Sequence, residues 1–116
     1  MKKENLIIDK SMEFAVRTVR LYKYLSEEQR EWIMSKQLLR SGTSIGANAR
    51  EAIYAQSRSD FIGKLSICLK EASETEYWLE LLYRTEYMSK RQYESIQKDC
   101  GEIAKLLIAI LKSSKG

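Results

Sequence analysis

Apolar residues recur along this chain at alternating steps of three and four, the spacing that lines one face of an α-helix. In the first stretch Ile8, Met12, Ala15, Val19 and Tyr22 follow this pattern, ending near Leu25. Ser26-Glu27-Glu28-Gln29 then has the form of a capping box, in which a serine oxygen and a glutamine side chain satisfy free N–H groups at a helix start. A second helix is expected from there through Trp32, Met34, Leu38 and Ile45 to about Ala55. Ser57-Arg58-Ser59-Asp60 is a third start signal, followed by Phe61, Leu65, Cys68, Ala72, Thr75, Leu79 and Leu82. Ser89-Lys90-Arg91-Gln92 is another capping box, and Tyr93, Ile96, Cys100, Ile103, Leu107 and Ile110 come after it. The expected helices are residues 6–25, 27–55, 58–86 and 90–113, in one domain over 1–116.

Such stripes, joined by short polar connections, pack as antiparallel neighbours at shallow angles. The simplest arrangement is all-α, an up-down-up-down four-helix bundle. The absence of proline excludes a loop-rich scaffold, and only Lys112 to Gly116 is expected to fray.

The second stretch departs from the others. Its stripe reads Leu38, Ser41, Ile45, Asn48 and Ala52, which places two polar side chains where a bundle interior is expected. A buried Asn or Ser without a hydrogen-bond partner costs about 1–3 kcal/mol, so partners are expected for both. Beside that stripe lie Leu39, Gly42, Gly46, Ala49 and Ile53, and the whole apolar or small arc covers roughly half the helix. A glycine inside a helix costs about 1 kcal/mol relative to alanine, and close approach by another helix is the physical reason available. Tight packing within the bundle and a subunit interface both meet that description. The fourth stretch favours an interface. From Ile103 to Leu111 the apolar side chains, Leu106 and Ile108 among them, wrap nearly the whole helix, whereas one subunit buries only one side of it.

Composition narrows the chemistry. There is no histidine, which removes the commonest general acid–base group and the commonest metal ligand. Glu71-x-x-Glu74 resembles half of a di-iron pattern, but the Glu-x-x-His pairs such a site needs cannot be assembled. Those glutamates are expected to pair with Arg40 or Arg50. Cys68, Cys100 and Ser44 have no histidine base and no elbow motif around them. No catalytic residue, metal ligand or cofactor is therefore expected. The two cysteines lack CxxC spacing and read as small buried residues of a reducing compartment. Met1 to Asp9 has no signal-peptide run, and the nine residues Ile103 to Leu111 are too few to span a bilayer. A cytoplasmic protein with no membrane partner is expected.

Twenty Lys and Arg against 16 Asp and Glu leave a net charge of +4, a balance that permits contact with nucleic acid. On the second helix Lys36, Arg40, Thr43, Ala47 and Arg50 fall within about 80° of one another. On the first, Lys10, Arg17 and Arg20 form another stripe with Lys23 beside it. The tyrosines fall mostly on core or flank positions, so no aromatic interleaving of the kind that stacks single-stranded bases is expected.

The stretch Gln37-Leu38-Leu39-Arg40-Ser41-Gly42-Thr43-Ser44-Ile45-Gly46-Ala47-Asn48-Ala49-Arg50-Glu51-Ala52 resembles a bacterial family. Its pattern is an Arg, a small residue, Ser-Ile, Ala-Asn and a Glu-Ala, matched at Arg40, Ser44, Ile45, Ala47, Asn48 and Glu51. Asp60-Phe61 through Lys70-Glu71-Ala72 to Trp78-Leu79 matches as well, and the likeness runs from about Ile8 to Leu111. The family is that of the four-helix-bundle proteins encoded in intervening sequences of 23S ribosomal RNA genes, to which the accessory variability proteins of diversity-generating retroelements are similar. The resemblance implies an up-and-down bundle assembled into a homopentamer, with no catalysis. In the retroelement branch it implies binding to nucleic acid and a reverse transcriptase.

Within the matched stretch Arg40, Ser44, Ala47 and Glu51 share a helix face. Arg40 and Glu51 lie three turns apart, too far to pair along the helix, so each is expected to meet a partner from another helix. With Ser41, Asn48, Glu71 and Glu74 they form either a polar network that fixes register or part of a ligand-facing surface. The function expected is that of a non-enzymatic oligomeric bundle serving as a scaffold associated with RNA, DNA or a ribosomal component. The alternative is a protein-interaction module that recruits a partner such as a reverse transcriptase without touching nucleic acid.

Overall fold

The computed structural model describes residues 2–115, and every regular element within them is helical. Helices α1 (Lys2–Glu27), α2 (Met34–Ile53), α3 (Arg58–Arg84) and α4 (Lys90–Lys115) follow one another. Each packs on the next, and α4 closes back on α1 in the least extensive of the four contacts. The body is 44 Å long and 21 × 19 Å across. A 26-residue helix is itself about 39 Å long at 1.5 Å per residue, so the short connections force the helices to alternate up and down.

Two of the expected start signals work as written. Ser57 accepts the N–H of Asp60 at 3.0 Å. Ser89 and Gln92 form the reciprocal box, with Gln92 N–H donating to Ser89 Oγ at 3.1 Å and Ser89 N–H to Gln92 Oε1 at 2.8 Å. The helix α3 ends earlier than expected, at Arg84, because Glu86 takes a left-handed φ of 71°. The N–H groups of Tyr87 and Glu86 then bond back to Leu82 and Tyr83, a Schellman closure. The helix α4 runs through the segment expected to fray. Arg58 caps it by donating from Nε to the Ser114 carbonyl at 2.8 Å, while Met1 and Gly116 lie outside the described residues.

The second helix does not begin at Glu27. The helix α1 continues through that residue, and the Ser26 hydroxyl donates to the Tyr22 carbonyl at 2.8 Å instead of capping anything. The chain turns at Arg30, which is left-handed with φ 56°. The cap of α2 is Glu31, whose buried carboxylate accepts the N–H groups of Ile33, Met34 and Ser35 at 3.1, 3.0 and 2.7 Å. A carboxylate at a helix N-terminus also meets the positive end of the dipole. Three orphan donors and a favourable field outweigh the box upstream.

The register of α1 also differs from expectation. The buried row is Ile7, Ser11, Phe14, Thr18 and Leu25, and its first four members lie one position before Ile8, Met12, Ala15 and Val19 of the expected row, which also holds Tyr22. Met12 is 48% and Val19 37% exposed. In α2 the buried row includes Ser41, which is hydrogen-bonded to the Thr75 hydroxyl at 2.9 Å. Asn48 is not a core residue. It is half-buried and donates to the carbonyl of Ser44 at 2.8 Å, one turn back on its own helix, and Ala49 occupies the core position. Around these, Phe14, Leu38, Ile45, Leu65, Leu79 and Leu107 fill the interior.

Candidate functional site

Arg40 leaves the side of α2 that faces α3. Its guanidinium reaches Glu71 at 3.2 Å and forms a second ion pair with Glu74. The Trp78 indole N–H donates to the same Glu74 carboxylate at 2.9 Å. The spacing of Glu71, Glu74 and Trp78 places all three on one flank of α3, so a single arginine can bridge them. The hydrogen bond from Arg40, and secondarily that from Trp78, holds the Glu74 carboxyl below its ordinary value. The bond from Glu74 correspondingly raises Arg40. The two glutamates are therefore engaged by Arg40 rather than Arg50.

The remainder of the expected network is not brought together. The Ser44 hydroxyl donates to the Arg40 carbonyl at 2.6 Å, and Asn48 stays on its own helix. Glu51 turns to Lys64 of α3, 2.9 Å away, which raises the lysine through that hydrogen bond. Arg40 and Glu51 each meet a partner on α3, but they are separate pairs.

The glycines of α2 face α1. A side-chain carbon on Gly42 would meet Thr18 Cγ2 at 2.6 Å, and one on Gly46 would meet the Ser11 carbonyl oxygen at 3.3 Å. Gly42 and Ala49 are thus consumed inside the subunit, and they contribute to helix packing alone. Leu39 and Leu106 are half-buried, while Ile53 and Ile108 remain exposed. Beside Gly46 a groove of about 430 Å³ opens between α1 and α2. Ile8, Met12 and Ala15 form its wall, and Thr43, Ala47 and Arg50 lie opposite.

Of the six bases singled out by sequence, three are tied within the subunit. Arg40 holds Glu71 and Glu74; Arg17 holds Asp99 and donates to Ser95 Oγ at 3.0 Å; Lys10 lies 4.0 Å from Glu102. Among the described residues Lys36, Arg50 and Arg20 make no ion pair. Two residues that sequence alone did not single out, Tyr24 and Arg91, line a surface groove between α1 and α4 together with Arg17 and Arg20. Arg91 was visible only as the interior of a capping box. Tyr24, one turn beyond Arg20, is half-buried against the core, in keeping with the core or flank positions expected for the tyrosines, and only the packing of α4 on α1 places it in this groove.

Cys68 and Cys100 are free and buried, with their sulfurs near the carbonyls of Ile45 and Ala72 at 3.4 and 3.6 Å. Burial pushes both thiols up to about 12, so neither is a nucleophile near neutral pH. Among the described residues no three His, Cys, Asp or Glu side chains converge as a metal site, and no helix is long and apolar enough to cross a membrane.

A solved structure from Bacteroides thetaiotaomicron, described as a protein of unknown function from the S23 ribosomal protein family, superposes with a TM-score of 0.94. It is 69% identical, and the match covers 95% of this chain and 98% of that one. A search of curated proteins found no match. The model of the 23S rRNA-intervening sequence proteins matches residues 3–109. With its four helices, its Arg40 motif and this near full-length match, the chain belongs to the family of 23S rRNA-intervening sequence proteins.

Proposed function

We propose that the chain is a non-enzymatic helical scaffold that assembles with copies of itself and associates with nucleic acid or ribonucleoprotein. The observation that carries this reading is the apolar stripe of α1 left outside the subunit core. Met12, Val16 and Val19 are exposed within two turns of one another, and Met12 borders the groove beside Gly46. Scattered single apolar side chains need no explanation, but a contiguous apolar row along a groove is a contact surface. The burial of both thiols and the lack of histidine leave no Cys–His or Ser–His pair for nucleophilic catalysis. The homopentamer implied by the family resemblance would place five copies of Lys36, Arg50 and Arg20 in one field, and phosphate contacts add across copies.

Sedimentation at several concentrations tests the assembly. The expected mass is a multiple of 13.5 kDa, near fivefold for the pentamer, and Met12→Glu with Val19→Glu should return it to a single subunit without changing helicity. A wild-type protein that stays a single subunit at high concentration refutes self-assembly. Fluorescence anisotropy with labelled structured RNA and duplex DNA tests the second part, and binding should weaken linearly in log salt. If neither probe nor a single strand binds at low salt, the nucleic-acid part fails and the surfaces serve a protein partner.

A further inference from the structure

The groove between α1 and α4 has a composition unlike the rest of the surface. It encloses about 520 Å³, with Arg17, Arg20 and Arg91 on its rim and Leu21, Met88 and Ile96 among its lining. Tyr24 stands at the end nearest the α3–α4 turn. Its hydroxyl accepts from the Gln29 amide at 2.9 Å, which fixes the ring. There the groove opens into a second hollow of about 740 Å³ that shares Tyr24, Met88 and Gln92 and adds Tyr83 and Tyr87. Tyr83 is itself stacked on Tyr93, with ring centroids 4.6 Å apart and planes 4° from parallel.

Charge along this path is ordered. The first groove is lined by no carboxylate, and the second by Glu86 alone. At the other end, toward the middle of the bundle, Glu13, Asp99 and Glu102 line a separate small cleft together with Lys10. Arg17 is held at that boundary by Asp99 and Ser95. Arg20 and Arg91 make no hydrogen bond or ion pair among the described residues. Their guanidinium forks are therefore available, and a fork matches phosphate in a bidentate manner.

We infer that this α1–α4 groove is a binding site for single-stranded nucleic acid, with Arg20 and Arg91 on successive phosphates and Tyr24 against an unstacked base. The inference rests on the nucleic-acid part of the function proposed above and gives that contact a location and a substrate form. Two adjoining hollows that share Tyr24, the second walled also by Tyr83 and Tyr87, suit bases that are splayed out, which a duplex does not offer. Beyond Arg17 three carboxylates stand against Lys10, which makes that direction less favourable for a polyanion than the one past Tyr83 and Tyr87. An acidic peptide would be attracted by the same arginines but has no flat ring to lay on Tyr24 at each step.

The test uses the whole protein and a fluorescein-labelled single-stranded RNA of about a dozen nucleotides, by anisotropy across a salt series. Arg20→Gln with Arg91→Gln should weaken binding about tenfold or more. The same pair should lower the log-salt slope by about one to one and a half. Tyr24→Leu should weaken binding about 5- to 100-fold with the slope unchanged, and Tyr24→Phe should restore it. Lys70→Gln with Lys105→Gln removes the same charge from exposed positions outside both hollows and should leave affinity near wild type. Helical melting of each variant identifies any that fails to fold, and the exposed Arg20 and Arg91 then decide the matter. No binding of the single strand by the wild type overturns this site, and the nucleic-acid reading falls with it only when structured RNA and duplex DNA also fail to bind. Binding that survives Arg20→Gln with Arg91→Gln, that is lost equally with the Lys70 and Lys105 pair, or that a labelled oligoglutamate matches, overturns the groove and leaves the broader reading to the structured RNA and duplex DNA probes.

Discussion

Alanine placed at each of the four described glycines should give opposite results by position. All four lie in helices, where replacing glycine by alanine favours the folded state by about 1 kcal/mol. Gly63 and Gly101 have nothing within 4 Å of the added carbon, so their alanine variants should be more stable by about that amount. At Gly46 the added carbon sits 3.3 Å from the Ser11 carbonyl oxygen, a backbone atom that yields by only tenths of an ångström, and the two effects nearly cancel. At Gly42 the carbon would lie 2.6 Å from Thr18 Cγ2 and 2.8 Å from Thr18 Oγ1. Thr18 is fully buried, β-branched and tied to the Phe14 carbonyl at 2.9 Å, so it cannot rotate away cheaply. Overpacking of this kind costs about 1–3 kcal/mol, which leaves Gly42→Ala destabilised by up to about 2 kcal/mol after the helix gain. Thr18→Ala removes both clashing atoms, and in that background Gly42→Ala should become stabilising. Urea unfolding followed by circular dichroism, at one fixed protomer concentration, measures the cycle. A coupling of about 1–3 kcal/mol is expected. If Gly42→Ala is as stable as the wild type, or if Thr18→Ala does not change its sign, close approach is not why glycine stands there.

Two further outcomes follow from the helix ends and the ion pairs. Glu74 has its carboxyl lowered below the ordinary 4.5 by the hydrogen bond from Arg40 and then by Trp78, so its contribution is complete above that value and lost as pH falls through the lower folded one. Arg40→Gln should therefore flatten the loss of stability in acid titrations below about pH 4.5, and because both side chains are more than a third exposed, it should cost only about 0–1 kcal/mol at neutral pH. Glu86 holds a left-handed φ of 71° in the closure of α3, and Glu86→Gly should raise stability by up to about 1 kcal/mol in the same urea assay; an unchanged midpoint would mean the turn carries no strain.

The parts of this fold legible in the sequence are those where apolar size and helical spacing agree. In α3 the expected row is buried from Leu65 through Cys68, Ala72, Thr75 and Leu79 to Leu82, with its first member Phe61 half-buried, and in α4 Ile96, Cys100, Ile103, Leu107 and Ile110 are buried while Tyr93 is half-buried. Helix starts were legible where the cap lies next to the helix in sequence, as at Ser57 and Ser89. The start of α2 was not, because its cap is a carboxylate that becomes available only after Arg30 turns the chain. The ion pairs of α2 were half legible. That Arg40 and Glu51 reach outside their own helix follows from their spacing, but the identity of Lys64 as a partner depends on how α3 lies against α2.

The register of α1 shows why a stripe of large apolar residues can point the wrong way. Ser11 and Thr18 look like poor core residues, yet each hydroxyl donates to a carbonyl of its own helix, Ile8 at 3.2 Å and Phe14 at 2.9 Å. Satisfied in this way, a small polar side chain can be buried at little cost. What it gains is proximity: Thr18 lies against Gly42 and Ser11 against Gly46, so the two helices approach closely over small side chains. Size rather than polarity selects that contact, and hydrophobic spacing does not detect it. Because the small residues take the α2 side, the larger Met12, Val16 and Val19 are left on the outside, where a single subunit gains nothing from them alone. Met12 and Val19 of the expected row are thus among the residues that the proposed assembly would use. A Gly42 that opens the α1–α2 seam and a Met12 that closes a subunit contact would be two consequences of one packing choice, and variants at the two positions should act on different readouts. Gly42→Ala should lower the unfolding midpoint, whereas Met12→Glu should lower the assembled mass and leave the helices of the subunit in place.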